Sequence, residues 1–236
     1  MSAESRFAMA EVWLYGSTAR GDADELSDID ILIACDEQVD LEALGLRRAV
    51  SASAYSWAEI EHMVTYGSLF LHHVRLEGRP LFEQEPPRLR SLLEMLPPYR
   101  RVHQELESFS RVVDDVTESA RHDHSPAFEL AVLATAARHS AILGCYLVGA
   151  PQFGRRRPFE ELLPRLGYSD AVVRDFERLY DYRIRENRFE ASEESADSVE
   201  AWASRVRELV IKVKELDDEQ QHQSGRRLRQ SGTRSR

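Results

Sequence analysis

Gly16-Ser17-Thr18-Ala19-Arg20-Gly21, a polar loop, then Ser27-Asp28-Ile29-Asp30-Ile31: this stretch decides how the N-terminal part of the 236-residue chain is read. It lies between two short apolar runs, Glu11 to Tyr15 and Ile29 to Ala34, that read as strands bounded by turn residues. Ser17 to Arg20 predicts one or two helical turns opened by a serine cap, and Gly21 to Ser27 a polar loop. Further out, Leu41 to Leu46 reads as a short helix and Ala49 to Tyr55 as a third strand. Glu59 to Leu76 has helical spacing, with Ile60, Met63, Val64 and Leu71 on one face. Gly78 to Phe82 is extended ahead of the Pro86-Pro87 break. The expectation is a small α/β domain with a mixed sheet over residues 1–88.

The remainder reads as helical, which makes the whole chain α+β. Pro97-Pro98 precedes an amphipathic run to about Ala120. Pro126, at a first-turn position, opens a nearly all-apolar helix to Val148 that Gly149 and Pro151 stop. Helices over Phe159 to Leu166, Asp170 to Glu186 and Ser195 to Glu219 complete an expected all-α bundle over residues 89–219, with the apolar helix at its centre and a substrate-binding or scaffolding role. Residues 220–236 carry five arginines and no acids, and are expected to be disordered.

The opening stretch fits one chemical task. Gly16 directly after a strand permits a tight turn, and the amides of Ser17 and its successors, with the Ser17 hydroxyl, suit a triphosphate. Asp28 and Asp30 are two apart on a strand, so both carboxylates leave the same face, about 7 Å apart at the backbone. Two hard oxygen ligands on one face suit Mg²⁺ or Mn²⁺, which would tie an NTP at Gly16 and Ser17 to the two aspartates. Arg20 has two readings of equal weight: it offsets phosphate charge, or it pairs with Asp22 or Asp24 at the surface.

About eight ordered positions here, Gly16-Ser17, Arg20-Gly21, Ser27 and Asp28-x-Asp30 among them, resemble the signature of the polymerase-β-like nucleotidyltransferases, especially the minimal nucleotidyltransferases. The resemblance covers residues 10–85. It implies transfer of a nucleoside monophosphate, AMP from ATP being the expected case, to an acceptor hydroxyl with release of pyrophosphate. It assigns phosphate binding to Gly16 and Ser17, and metal ligation and catalysis to Asp28 and Asp30. Members usually add a third carboxylate on the next strand. Here Ser51 or Ser53 occupies that slot and no Asp or Glu occurs from Ala43 to Ala58, which leaves Glu59 or Glu61 as a replacement base. The alternative is a catalytically impaired nucleotide-binding or antitoxin-like interaction module. The helical half resembles the bundles that accompany such domains, HEPN-like ones included. No arginine stands four to six residues before any histidine after residue 90, so ribonuclease chemistry is not expected.

Composition narrows the partners. With 42% apolar and 31% charged residues the chain is globular. Thirty-one basic against 41 acidic residues give a net charge of −10, and leaving out the tail arginines makes residues 1–219 carry −15. Nucleic acid is therefore an unlikely partner, and a cationic small molecule such as an aminoglycoside, or a protein hydroxyl, is the expected acceptor. A homodimer is left open. Cys35 and Cys145 lie in apolar runs, as expected of buried thiols in the cytoplasm. No membrane span is expected, because Glu129, Arg138 and His139 break the most apolar stretch.

Overall fold

The alternation of Val12 and Leu14 with Trp13 and Tyr15 builds the first strand, β1 (Glu11–Tyr15), and the one-turn helix α1 (Gly16–Arg20) follows without a spacer. In this computed structural model the described residues are 10–25, 27–36, 45, 50–122, 125–187 and 196–232. The helix expected over Leu41 to Leu46 lies outside them, apart from Gly45. Strands β2 (Ile29–Cys35), β3 (Val50–Ser56) and β4 (Arg79–Phe82) complete a four-stranded sheet of order β3-β2-β1-β4. β1 runs antiparallel to β2 and β4, and β2 runs parallel to β3, so the sheet is mixed as expected.

One face of the sheet carries Trp13, Tyr15, Leu32 and Ala34 and is covered by helices α2 (Trp57–Thr65), α3 (Leu69–Glu77) and α4 (Arg88–Glu94). These helices contribute Trp57, Ile60, Leu71, Val74, Leu89 and Leu93 to the core. The single helix expected over Glu59 to Leu76 is two. The chain turns at Gly67, which is left-handed (φ +69°) and so close to the Pro97 carbonyl that a Cβ would stand 2.3 Å from its oxygen. Ser56 opens α2 through a capping box with Glu59.

The chain divides into two compact units, residues 1–100 and 101–236. The first therefore reaches twelve residues beyond the expected boundary at 88. The physical reasons are that Leu89, Leu93 and Leu96 enter the core of the first unit, the buried His72 ring bonds the Pro97 carbonyl at 3.1 Å, and the Arg100 N–H bonds the Tyr66 carbonyl at 3.1 Å. Glu11 is fully buried on β1, and its carboxylate accepts the N–H groups of Arg88 (2.6 Å) and Leu89 (3.1 Å), capping α4 from a strand 77 residues away.

The second unit is helical: α5 (Val102–His122), α6 (Pro126–Leu147), α7 (Arg157–Leu162), a 3₁₀ turn (Pro164–Leu166), α8 (Asp170–Asn187) and α9 (Ala196–Gly232). As its composition requires, α6 is the core helix, packed by α5, α7, α8 and α9. It is long and apolar enough to cross a membrane, yet 72% of its most apolar window is buried inside the protein. Gly144 of α6 lets the fully buried Leu162 of α7 approach to 2.4 Å from where a Cβ would be. Arg138 leaves α6 sideways to donate to the carbonyls of Phe153 and Gly154, which fastens the α6–α7 loop. The tail does not match its expectation: α9 continues to Gly232, through a stretch whose Gln, Arg and Leu residues are good helix formers. Residues 233–236 lie outside the described residues.

Candidate active site

Tyr15 stands directly opposite Asp30 in the antiparallel register of β1 and β2, so the turn that leaves β1 begins beside the carboxylate. Gly16 (φ +71°) is the residue that this juxtaposition requires. A Cβ there would sit 2.2 Å from Asp30 Oδ2, so any side chain would displace the carboxylate. Within α1 no side chain caps the first turn; Tyr15, not Ser17, holds the cap position, which corrects the serine cap expected from sequence. Gly21 (φ +83°) ends the helix, its N–H and that of Asp22 both returning to the Ser17 carbonyl.

The loop to β2 is closed by a local network. Ser27 Oγ donates to Asp24 Oδ1 (2.8 Å) and accepts the Asp24 N–H (3.0 Å), and Thr18 Oγ1 donates to the Asp28 carbonyl (3.5 Å). Asp28 is thereby set one residue ahead of β2, exposed. Asp30 is half-buried on the strand, on the same face as Leu32 and Ala34 by alternation. Gly16, Ser17 and Asp30 lie at one end of the sheet, and Asp28 stands just ahead of β2 rather than on it, which departs from the expectation of both aspartates on the strand. An exposed and a half-exposed carboxylate at a strand end, one of them held against a glycine, fit a hard divalent cation.

Of the two readings of Arg20, the structure realises the ion-paired one, with a partner the sequence did not offer. Its Nε faces both oxygens of Asp22 (3.1 and 3.2 Å) and its Nη1 meets Glu77 Oε2 at 2.5 Å. Asp24, the other partner considered, bonds Ser27. Burial opposes the Arg20 charge, but hydrogen bonds to Asp22 and Glu77 outweigh it and raise its pKa. Burial likewise works against the Glu77 carboxylate. The His73 ring, whose Nε2 lies 2.7 Å from the same Oε2, and Arg20 more than compensate and lower its pKa. The His73 ring stands edge-on to Tyr15, centroids 5.4 Å apart, and burial raises the Tyr15 phenol, with Asp30 adding to the shift. Only the i,i+4 spacing of His73 and Glu77 hinted at this network; Arg20 and Glu77 are 57 residues apart.

Among the described residues, serines rather than an acid stand beside the aspartates on β3. Ser51 pairs directly with Asp30 in the parallel register, and Ser53, next along that face, lies 3.5 Å from the Tyr15 hydroxyl. Both sequence candidates for a replacement base have other work. Glu59 Oε2 accepts the Ser56 N–H and hydroxyl, which holds its pKa below the ordinary value, and Glu61 pairs with Arg88 at 2.6 Å.

Residues 2–68 match the family model described as nucleotidyltransferase domain. Residues 2–68 are a nucleotidyltransferase domain. The match ends at Ser68; α3, β4 and α4 belong to the same compact unit but lie beyond it. No curated protein matches the chain. Among solved structures, a nucleotidyltransferase-like protein from Exiguobacterium sibiricum is similar at 16% identity, over 91% of this chain and 71% of that one. Its TM-score is 0.33.

Away from the nucleotidyltransferase domain, the helical unit brings His103 of α5 beside Asp217 and Asp218 of α9. The buried Asp217 carboxylate already accepts the Gln221 amide at 2.9 Å. Of the run His122-Asp123-His124 only His122 is among the described residues, and it pairs with Glu118.

Proposed function

We propose that the nucleotidyltransferase domain moves a nucleoside monophosphate, AMP from ATP, onto a hydroxyl of a small molecule or protein. The acceptor oxygen attacks the α-phosphorus, the bond to the β-phosphate bridging oxygen breaks, pyrophosphate leaves and the hydroxyl proton passes to water. The observation that carries this reading is the Asp30 carboxylate seated against Gly16, which joins the phosphate turn to the metal-ligand strand. Ser17 and the amides after it would hold the triphosphate, and Asp28 and Asp30 would hold Mg²⁺ or Mn²⁺. The cation supplies charge neutralisation at the phosphate oxygens. The acidic chain supports a cationic acceptor, by steering. Buried free thiols at Cys35 and Cys145 support a reducing compartment, the cytoplasm.

Ser51 opposite Asp30, with Glu59 and Glu61 engaged elsewhere, favours a second reading: a nucleotide-binding or antitoxin-like module that turns over slowly or not at all. One experiment separates them. Nucleotide binding and pyrophosphate release are measured with Mg²⁺ or Mn²⁺, each of the four NTPs, and aminoglycosides or cell extract as acceptors. The wild type is set beside Asp28→Ala/Asp30→Ala. Release that needs metal, both aspartates and an acceptor establishes the transferase. Aspartate-dependent binding without release establishes the module, and binding indifferent to the double substitution refutes both.

A further inference from the structure

The one-turn helix α1 cannot hold its own shape: five residues lie below the length at which helix formation sustains itself, and no side chain caps its start. Both ends are instead tied to α3 through a single carboxylate oxygen. Glu77 Oε2 takes Arg20 Nη1 (2.5 Å) at the end of α1. It also takes His73 Nε2 (2.7 Å), whose ring braces Tyr15, the residue immediately before Gly16. The side chains of Arg20 and Glu77 are only 13% and 7% exposed, so the pair is shielded from the solvent that makes surface pairs weak. Arg20 also faces Asp22, so its one positive charge meets two carboxylates and little remains for a phosphate.

We infer that Glu77 is a positioning residue: it fixes the Gly16–Arg20 turn against Asp30 by holding Arg20 and His73, and Arg20 is a strut of that turn rather than a phosphate ligand. The inference rests on the nucleotidyl-transfer reading for its consequence, though not for its geometry. The two roles of Arg20 differ in sign. A strut loosens the turn when cut from either side, and every nucleotide suffers alike. A phosphate ligand affects triphosphate alone, and removing the Glu77 charge beside it tightens triphosphate.

The test uses the full chain with Arg20→Ala, Arg20→Lys, Glu77→Ala, Glu77→Gln and the double variant Arg20→Ala/Glu77→Ala. Amide hydrogen exchange and the affinities for fluorescently labelled ATP and AMP in Mg²⁺ are read for each. The expected result is exchange at residues 16–22 faster by about tenfold, with the helical unit unchanged. Both nucleotides weaken by a similar factor, about tenfold, in Arg20→Ala and Glu77→Ala, and the double variant is no worse than either. Arg20→Lys and Glu77→Gln, which keep one hydrogen bond, recover part of the loss and cover the case in which an alanine variant fails to fold. Unchanged exchange overturns the inference, as do additive losses, or a loss confined to ATP with tighter ATP binding by Glu77→Gln. If the wild type binds neither nucleotide, the nucleotidyl-transfer reading fails while the exchange arm still decides the strut.

Discussion

Gly16 is the residue on which the candidate site turns, because its backbone occupies a left-handed conformation and its missing side chain is the space that Asp30 fills. Gly16→Ala is expected to cost at least about 1–2 kcal/mol from backbone conformation alone, and to weaken nucleotide–metal binding further by displacing Asp30. Urea unfolding followed through Trp13 and Trp57, beside a nucleotide titration, checks both. His72 carries a pH prediction. Burial, then the nearby Arg75 charge, pushes its pKa below the ordinary value, although the bond to the Pro97 carbonyl opposes the shift. A base depressed in the folded state contributes stability that is complete above its unfolded pKa, about 6.5, and is lost as pH falls below it. The first unit should therefore lose stability from pH 7 to 5 more steeply in the wild type than in His72→Gln, as thermal melts across that range would show.

At the scale of elements, the unforeseen tie is the capping of α4 by Glu11. Pro87 precedes that helix and offers no side-chain acceptor, so the buried carboxylate on β1 satisfies two N–H groups that would otherwise be orphaned. Glu11→Ala should destabilise the first unit by about 2 kcal/mol, with Glu11→Gln losing less, measured by urea unfolding at the same two tryptophans. What the sequence made legible was local. Strands β1 and β2, the glycine turn and the two aspartates follow from apolar runs and turn chemistry within the 25 residues from Glu11 to Cys35. What it hid was long-range: nothing in Arg20 names Glu77, nothing in Glu11 names Arg88, and nothing in Gly67 names the distant Pro97 carbonyl that lies against it. The domain boundary was placed too early for the same reason, since Leu89 and Leu93 read as an apolar helix but not as one belonging to the sheet behind them.

For the whole molecule, charge is distributed unevenly along the chain. The five tail arginines all follow His222, so a chain ending there carries −15. Because α9 extends to Gly232, that truncation should lower far-ultraviolet helicity by about ten residues' worth and leave the melting of the helical unit unchanged. Circular dichroism and anion-exchange elution measure the two effects together.

The Glu11 cap also sets a clock. Its partners stand 77 and 78 residues further along, so at roughly 5–20 residues per second a ribosome needs about 4–15 s after making Glu11 before the helix it caps exists. During that interval Trp13 and Tyr15 have no complete core to enter, because Leu89, Leu93 and Leu96 have yet to be synthesised. The nascent first strand is thus exposed for seconds, and chaperone demand during synthesis should fall on this segment first.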